Sequence, residues 1–147
     1  MTRQRQRRRP AGIMFGGYYF ASELAVEADD RVYIADGPDV VKIGFTSNAD
    51  AGVAGRLHEH HITARDRFDT TLTRYGVTNW NFADENQIHW AEDLDQARVG
   101  PRGSEWYHTA VLADRWGDDT PAVWLDRYIR GLRDCLPTQN DLWSIPA

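Results

Sequence analysis

Apolar and polar positions alternate most cleanly over residues 31–46. Arg31-Val-Tyr-Ile-Ala is rich in strand formers, and Asp36-Gly37-Pro38-Asp39 has the composition of a turn. Val40-Val-Lys-Ile-Gly-Phe-Thr then predicts the second strand of a hairpin. Alternation sends Val41, Ile43 and Phe45 to one face and Val40, Lys42 and Gly44 to the other. Ser47-Asn48-Ala49-Asp50 can open a helix, with Val53 and Leu57 at helical spacing. Residues 67–75 predict a third strand, broken by Gly76. Asn81 is a candidate cap for a helix over 82–97, with Phe82, Ile88, Ala91 and Leu94 inward. Further helices are expected over 108–116 and 121–135. Trp124, Tyr128, Leu132 and Cys135 give the last an apolar stripe that Pro137 stops.

The ends are less patterned. Ser22 can cap a short helix, and Leu142, Trp143 and Ile145 are placed to fold back onto the body. No internal repeat stands out. The division expected is an arginine-rich segment over 1–10, one domain over 11–136 and a tail over 137–147. At 147 residues one compact domain is the default. Such a chain buries roughly 68–70% of its unfolded surface, enough for a real core.

Charge changes the picture. The net charge of −5 hides five arginines and no acid in residues 1–10, leaving 12 basic and 22 acidic side chains, or −10, elsewhere. An acidic body is a poor general nucleic-acid binder, because phosphate neutralisation supplies most non-specific affinity. Arg3, Arg5, Arg7, Arg8 and Arg9 are therefore candidate nucleic-acid contacts, although a solvated charged tail has the same composition. Six Trp and six Tyr can fill a core or offer faces for stacking on bases. The single cysteine, Cys135, excludes an intramolecular disulfide and a cysteine zinc cluster, and is expected to be a small buried hydrophobe. The apolar run after Arg7-Arg8-Arg9 is short and broken by glycine, so export is not expected, and no run is long enough to span a bilayer.

Several residues are equipped for phosphate chemistry. Arg56 carries a planar guanidinium that stays charged and can hold two phosphate oxygens, as any surface arginine can. Glu85 falls near the start of its helix and His89 follows one turn later on the same face. His-Glu-x-x-His is absent, which excludes a zincin. Leu57-His-Glu-His-His places His58, His60 and His61 where one could shuttle protons, and the sequence does not choose between them. Tyr33 and Lys42 stand mid-strand in the hairpin, where an ordinary strand tyrosine or lysine would also stand.

The order Tyr33, Lys42-Ile43-Gly44, Arg56, Glu85-Asn86-Gln87-Ile88-His89 and Gly103-Ser104-Glu105-Trp106-Tyr107 resembles the GIY-YIG nuclease superfamily, in particular its T5orf172 or Mug113-like branch. The resemblance covers about residues 31–112. It implies an α+β fold, with a small, mostly antiparallel three-stranded sheet flanked by helices. It also implies a metal-dependent endonuclease acting on DNA. Tyr33 would help deprotonate the attacking water, Lys42 and Arg56 would hold the phosphate, and Glu85 would bind Mg²⁺ or Mn²⁺. His60, His61 and His89 are candidate accessory groups. Trp106 and Tyr107 would pack against the sheet, and Glu105 would pair with a basic neighbour. Lys42 replaces the second signature tyrosine, the spacing to Arg56 implies a short insertion over 49–55, and the asparagine frequent near the closing motif is missing.

The expected partner is DNA, double-stranded by default, cut by a homodimer or nicked by one copy. The expected location is the cytoplasm of a bacterium or of a phage-infected cell. The lysine substitution, the missing asparagine and the acidic body also suit an inactive nucleic-acid-binding or phage or virion assembly module on the same scaffold. A fold-unrelated α+β protein whose tail docks on a partner is the third reading.

Overall fold

The computed structural model describes residues 18–20 and 29–135. The arginines of residues 1–10, the cap expected at Ser22 and the C-terminal Leu142, Trp143 and Ile145 lie outside them. Among the described residues the fold is α+β. The strands are β1 (Tyr18–Phe20), β2 (Arg31–Asp36), β3 (Val40–Thr46), β4 (Arg74–Thr78) and β5 (Trp106–His108). The helices are α1 (Ala49–Phe68), α2 (Phe82–His89), α3 (Thr109–Trp116) and α4 (Pro121–Cys135).

The sheet is larger than the three strands expected. Its order is β1-β4-β2-β3-β5, with β2 to β5 antiparallel to their neighbours and β1 parallel to β4. The additions are β1, where the sequence has no clear period, and β5, where Trp106 and Tyr107 form an edge strand of the sheet itself. The hairpin stands where alternation puts it, with Tyr33 opposite Gly44, Ile34 opposite Ile43 and Ala35 opposite Lys42.

Both faces of the sheet are covered. Val32, Ile34, Val41 and Ile43 face Ile88, Leu112, Leu125 and Ile129, under α2, α3 and α4. Tyr33, Ala35, Val40 and Val77 face Val53, Leu57 and Ala64, under α1. A sheet buried on both sides gives its strands near-continuous burial, and β2, β3 and β4 show it.

Three expectations are corrected by packing. Residues 67–75 are not one strand: α1 runs to Phe68, Asp69 adopts the left-handed conformation, and its N–H bonds Arg65 O at 3.1 Å. The third strand starts at Arg74 and carries Gly76 in its middle, opposite Ile34. The helix over 82–97 is α2, followed by a short 3₁₀ turn at Glu92–Leu94, and Phe82 points outward, 60% exposed. Cys135 is free and exposed rather than buried, because the apolar stripe of α4 ends before it.

Candidate active site

β5 pairs with β3 only from Val40 to Lys42, opposite His108 and Trp106 respectively. The remainder of β3, Gly44 to Thr46, is left without a strand on that side, and α2 packs against β3 and β2. Around this edge a cavity of about 250 Å³ is lined by Tyr33, Lys42, Phe45, Arg56, His60, Phe82, Glu85 and Glu105. The four residues singled out as catalytic, from two strands and two helices, thus line one cavity. A second cavity of about 390 Å³ adjoins it, sharing Phe45 and Arg56.

Tyr33 enters the cavity by virtue of its cross-strand partner. A Cβ on Gly44 would fall within the Tyr33 ring and hydroxyl, so only glycine lets that ring lie across β3. The hydroxyl is 2.7 Å from Nε2 of His60, and the two rings stack at 5.7 Å. Burial pushes the phenol well above its ordinary range, partly offset by the charge of Arg56. Burial, with Lys42 and Arg56 nearby, pushes His60 down to about 3. Both groups are thus neutral near pH 7, and in the Nδ1–H tautomer the phenol donates to the imidazole. Of the three clustered histidines only His60 lines the cavity; His58 is exposed, and His61 does not reach it.

Lys42 is buried at 7% exposure, forms an ion pair with Glu105, and lies 5.5 Å from the Trp106 ring centroid. An ordinary strand lysine would face solvent, so the Lys42 position is a built one. Arg56 is the opposite case. It is exposed, and among the described residues it is the one arginine with no hydrogen-bond, ion-pair or ring partner.

Glu85 is 5% exposed and held from behind. Asn81 and Asp84 form a capping box at the start of α2, and Arg133 grips both oxygens of Asp84 at 2.8 and 2.9 Å. Arg98, buried, donates to the carbonyls of Ile88 and Ala91 at 3.1 Å and closes the other end of α2. On the same helix His89 joins Nε2 to Glu85 Oε2 at 3.1 Å and Nδ1 to the Tyr107 hydroxyl at 2.6 Å. In the Nε2–H tautomer His89 donates to Glu85 and accepts at Nδ1 from the Tyr107 hydroxyl, which burial keeps protonated. This orients one carboxylate oxygen and leaves Oε1 without a hydrogen bond among the described residues.

The donor set fits a hard divalent cation. Potential ligand atoms of Glu85, His89 and Glu105 all lie within 4.8 Å of one another, and with both His89 nitrogens hydrogen-bonded the two carboxylates are the donors free for a cation. Two carboxylates beside water suit Mg²⁺ or Mn²⁺, with His89 as the partner that orients Glu85. Sequence reasoning placed Glu105 only as a partner for a basic group, which it is, and missed its proximity to Glu85. It also missed Arg98 and, for Tyr107, gave packing against the sheet but not the contact with His89; both roles depend on tertiary contacts that leave no local signal. No helix among the described residues is long and apolar enough to cross a membrane.

Comparison of this chain with protein-family models, with curated proteins and with solved structures finds no match.

Proposed function

We propose that this chain is a metal-dependent DNA endonuclease of the GIY-YIG type. The observation that carries this is the convergence of Tyr33, Lys42, Arg56 and Glu85 on one cavity, with the Arg56 guanidinium unpaired among the described residues. Phosphodiester hydrolysis needs a base, cations for the phosphate and charge stabilisation as the leaving oxygen departs. The phosphate cations and the charge stabilisation find residues here, and Tyr33 is placed to orient the attacking water.

Glu85, with Glu105 beside it, would hold Mg²⁺ or Mn²⁺. When bound, the cation supplies Lewis-acid polarisation of the phosphoryl oxygen and stabilises the leaving oxygen. Arg56 holds two non-bridging oxygens and so fixes the phosphorus against the cavity wall. Tyr33 donates its hydroxyl hydrogen to His60 through the 2.7 Å contact and accepts a hydrogen bond from the incoming water, which orients the water for attack. Lys42 shares its charge between Glu105 and the substrate phosphate. His89 and Tyr107 keep Glu85 aimed and take no part in proton transfer. His61 has no part in the site. The arginines at 3, 5, 7, 8 and 9 add electrostatic affinity for DNA that the acidic body lacks. A homodimer would cut both strands and one copy would nick; the cytoplasm of a bacterium or infected cell is the place where such an enzyme meets DNA.

One observation favours the rival, a binding or assembly module on the same scaffold: Lys42 is already neutralised by Glu105. The experiment is incubation of the full chain with supercoiled plasmid in Mg²⁺ or Mn²⁺ beside EDTA. Nicking or linearisation that requires metal supports the nuclease. A gel shift without cleavage favours the module.

A further inference from the structure

Phe82 breaks the pattern of its own helix. Its spacing with Ile88 predicts an inward side chain, yet it is 60% exposed while Ile88 is fully buried. Single exposed apolar residues are common and need no explanation. Phe82 differs because it lines the same cavity as Lys42, Arg56 and Glu85. Its surroundings also support it. The capping box of Asn81 and Asp84 fixes the first turn of α2, and Phe45 supports the ring edge-on at 5.6 Å between centroids. An aromatic face therefore stands beside cations suited to phosphate.

Resting on the nuclease reading, we infer that Phe82 is a stacking platform for an unpaired nucleobase next to the phosphate to be cut. A base inside a duplex presents only its edges to a protein, and its faces are covered by its neighbours. The face of Phe82 can be used only by a base out of the stack, in a single strand, a flap or a bulge. The substrate class is then DNA that is locally unpaired at the cut, a refinement of the duplex expected from sequence. The adjoining cavity beyond Phe45 and Arg56 gives the strand room to continue.

The test uses one labelled oligonucleotide, presented as a single strand, as a blunt duplex and as a duplex with a central bulge. Binding is read by fluorescence anisotropy in Ca²⁺, a hard cation with oxygen ligands like Mg²⁺. The full chain is compared with Phe82→Ala, Phe82→Trp and Arg56→Ala. Wild type should bind the two unpaired probes more tightly than the blunt duplex. Phe82→Ala should weaken the unpaired probes by about tenfold and leave the duplex unchanged, and Phe82→Trp should keep the preference. Phe82→Ala without effect on the unpaired probes, or with an equal effect on all three, overturns the inference. If Arg56→Ala still weakens every probe in that case, the phosphate site survives and only the platform falls. If neither variant weakens any probe, or none binds, the functional reading falls as well.

Discussion

The Tyr33 hydroxyl lies 2.7 Å from Nε2 of His60, joining a strand to a helix twenty-seven positions further along the chain. The pair sets a proton donor and its acceptor at the floor of a cavity that also holds two cations and a buried carboxylate. Tyr33→Phe removes the hydroxyl and keeps the packed ring. Cleavage should fall by about 10²-fold, the loss expected when the attacking water is no longer oriented. The thermal midpoint should move little, since one hydrogen bond is worth about 1 kcal/mol. Plasmid nicking and a melting curve on the same preparation separate the two effects.

His60 makes stability depend on acid. Its folded value is depressed to about 3, by burial first and then by Lys42 and Arg56, against about 6.5 in the unfolded chain. The unfolded state therefore binds more protons between those values, and stability falls as pH drops from about 6.5 toward 3. Above about 6.5 the group contributes no slope. His60→Gln should lessen the loss in urea midpoint between pH 7 and pH 4.5. An equal loss in both proteins would assign the acid sensitivity to other groups.

Gly44 is required by Tyr33 rather than by its own backbone, since a Cβ there would enter the phenol ring. Gly44→Ala should destabilise by about 1–3 kcal/mol, as overpacking does. In a Tyr33→Ala background the same change should cost little. Urea unfolding of the four proteins in this cycle gives the coupling directly.

Glu105 is tied to Lys42 and stands within ligand reach of Glu85. Glu105→Gln should weaken Mn²⁺ binding by about tenfold in isothermal titration. Because Glu105 is 45% exposed, solvent screens the ion pair and the stability cost should be only about 1 kcal/mol. Unchanged Mn²⁺ affinity would make Glu105 a partner of Lys42 alone.

The parts of the fold legible in the sequence are those set by local pattern. Alternation over 40–46 placed Val41 and Ile43 on one face and Val40 and Lys42 on the other, and the two cores keep that division. Asn81 was readable as a cap because its side chain acts within its own first turn. The misread stretch 67–75 mixes strand formers with the end of α1, and the boundary is decided by Asp69, whose left-handed cap a sequence does not announce. Gly76 reads locally as a break, yet in the middle of the sheet it is held by β2 on one side and β1 on the other. Tyr33, Lys42, Arg56 and Glu85 were legible as a set through an ordered motif. The choice of His60 over His61, the burial of Lys42 and the support of Glu85 by Tyr107 were not, since each depends on contacts between distant segments.

In the proposed mechanism Glu85 holds the cation on which strand cleavage depends. Its most direct test is plasmid cleavage in Mn²⁺ by wild type and by Glu85→Gln, a change that keeps the side-chain shape. Wild type should nick only with metal, and a folded Glu85→Gln should give no more product than the EDTA control. Cleavage by Glu85→Gln at the wild-type rate would contradict it.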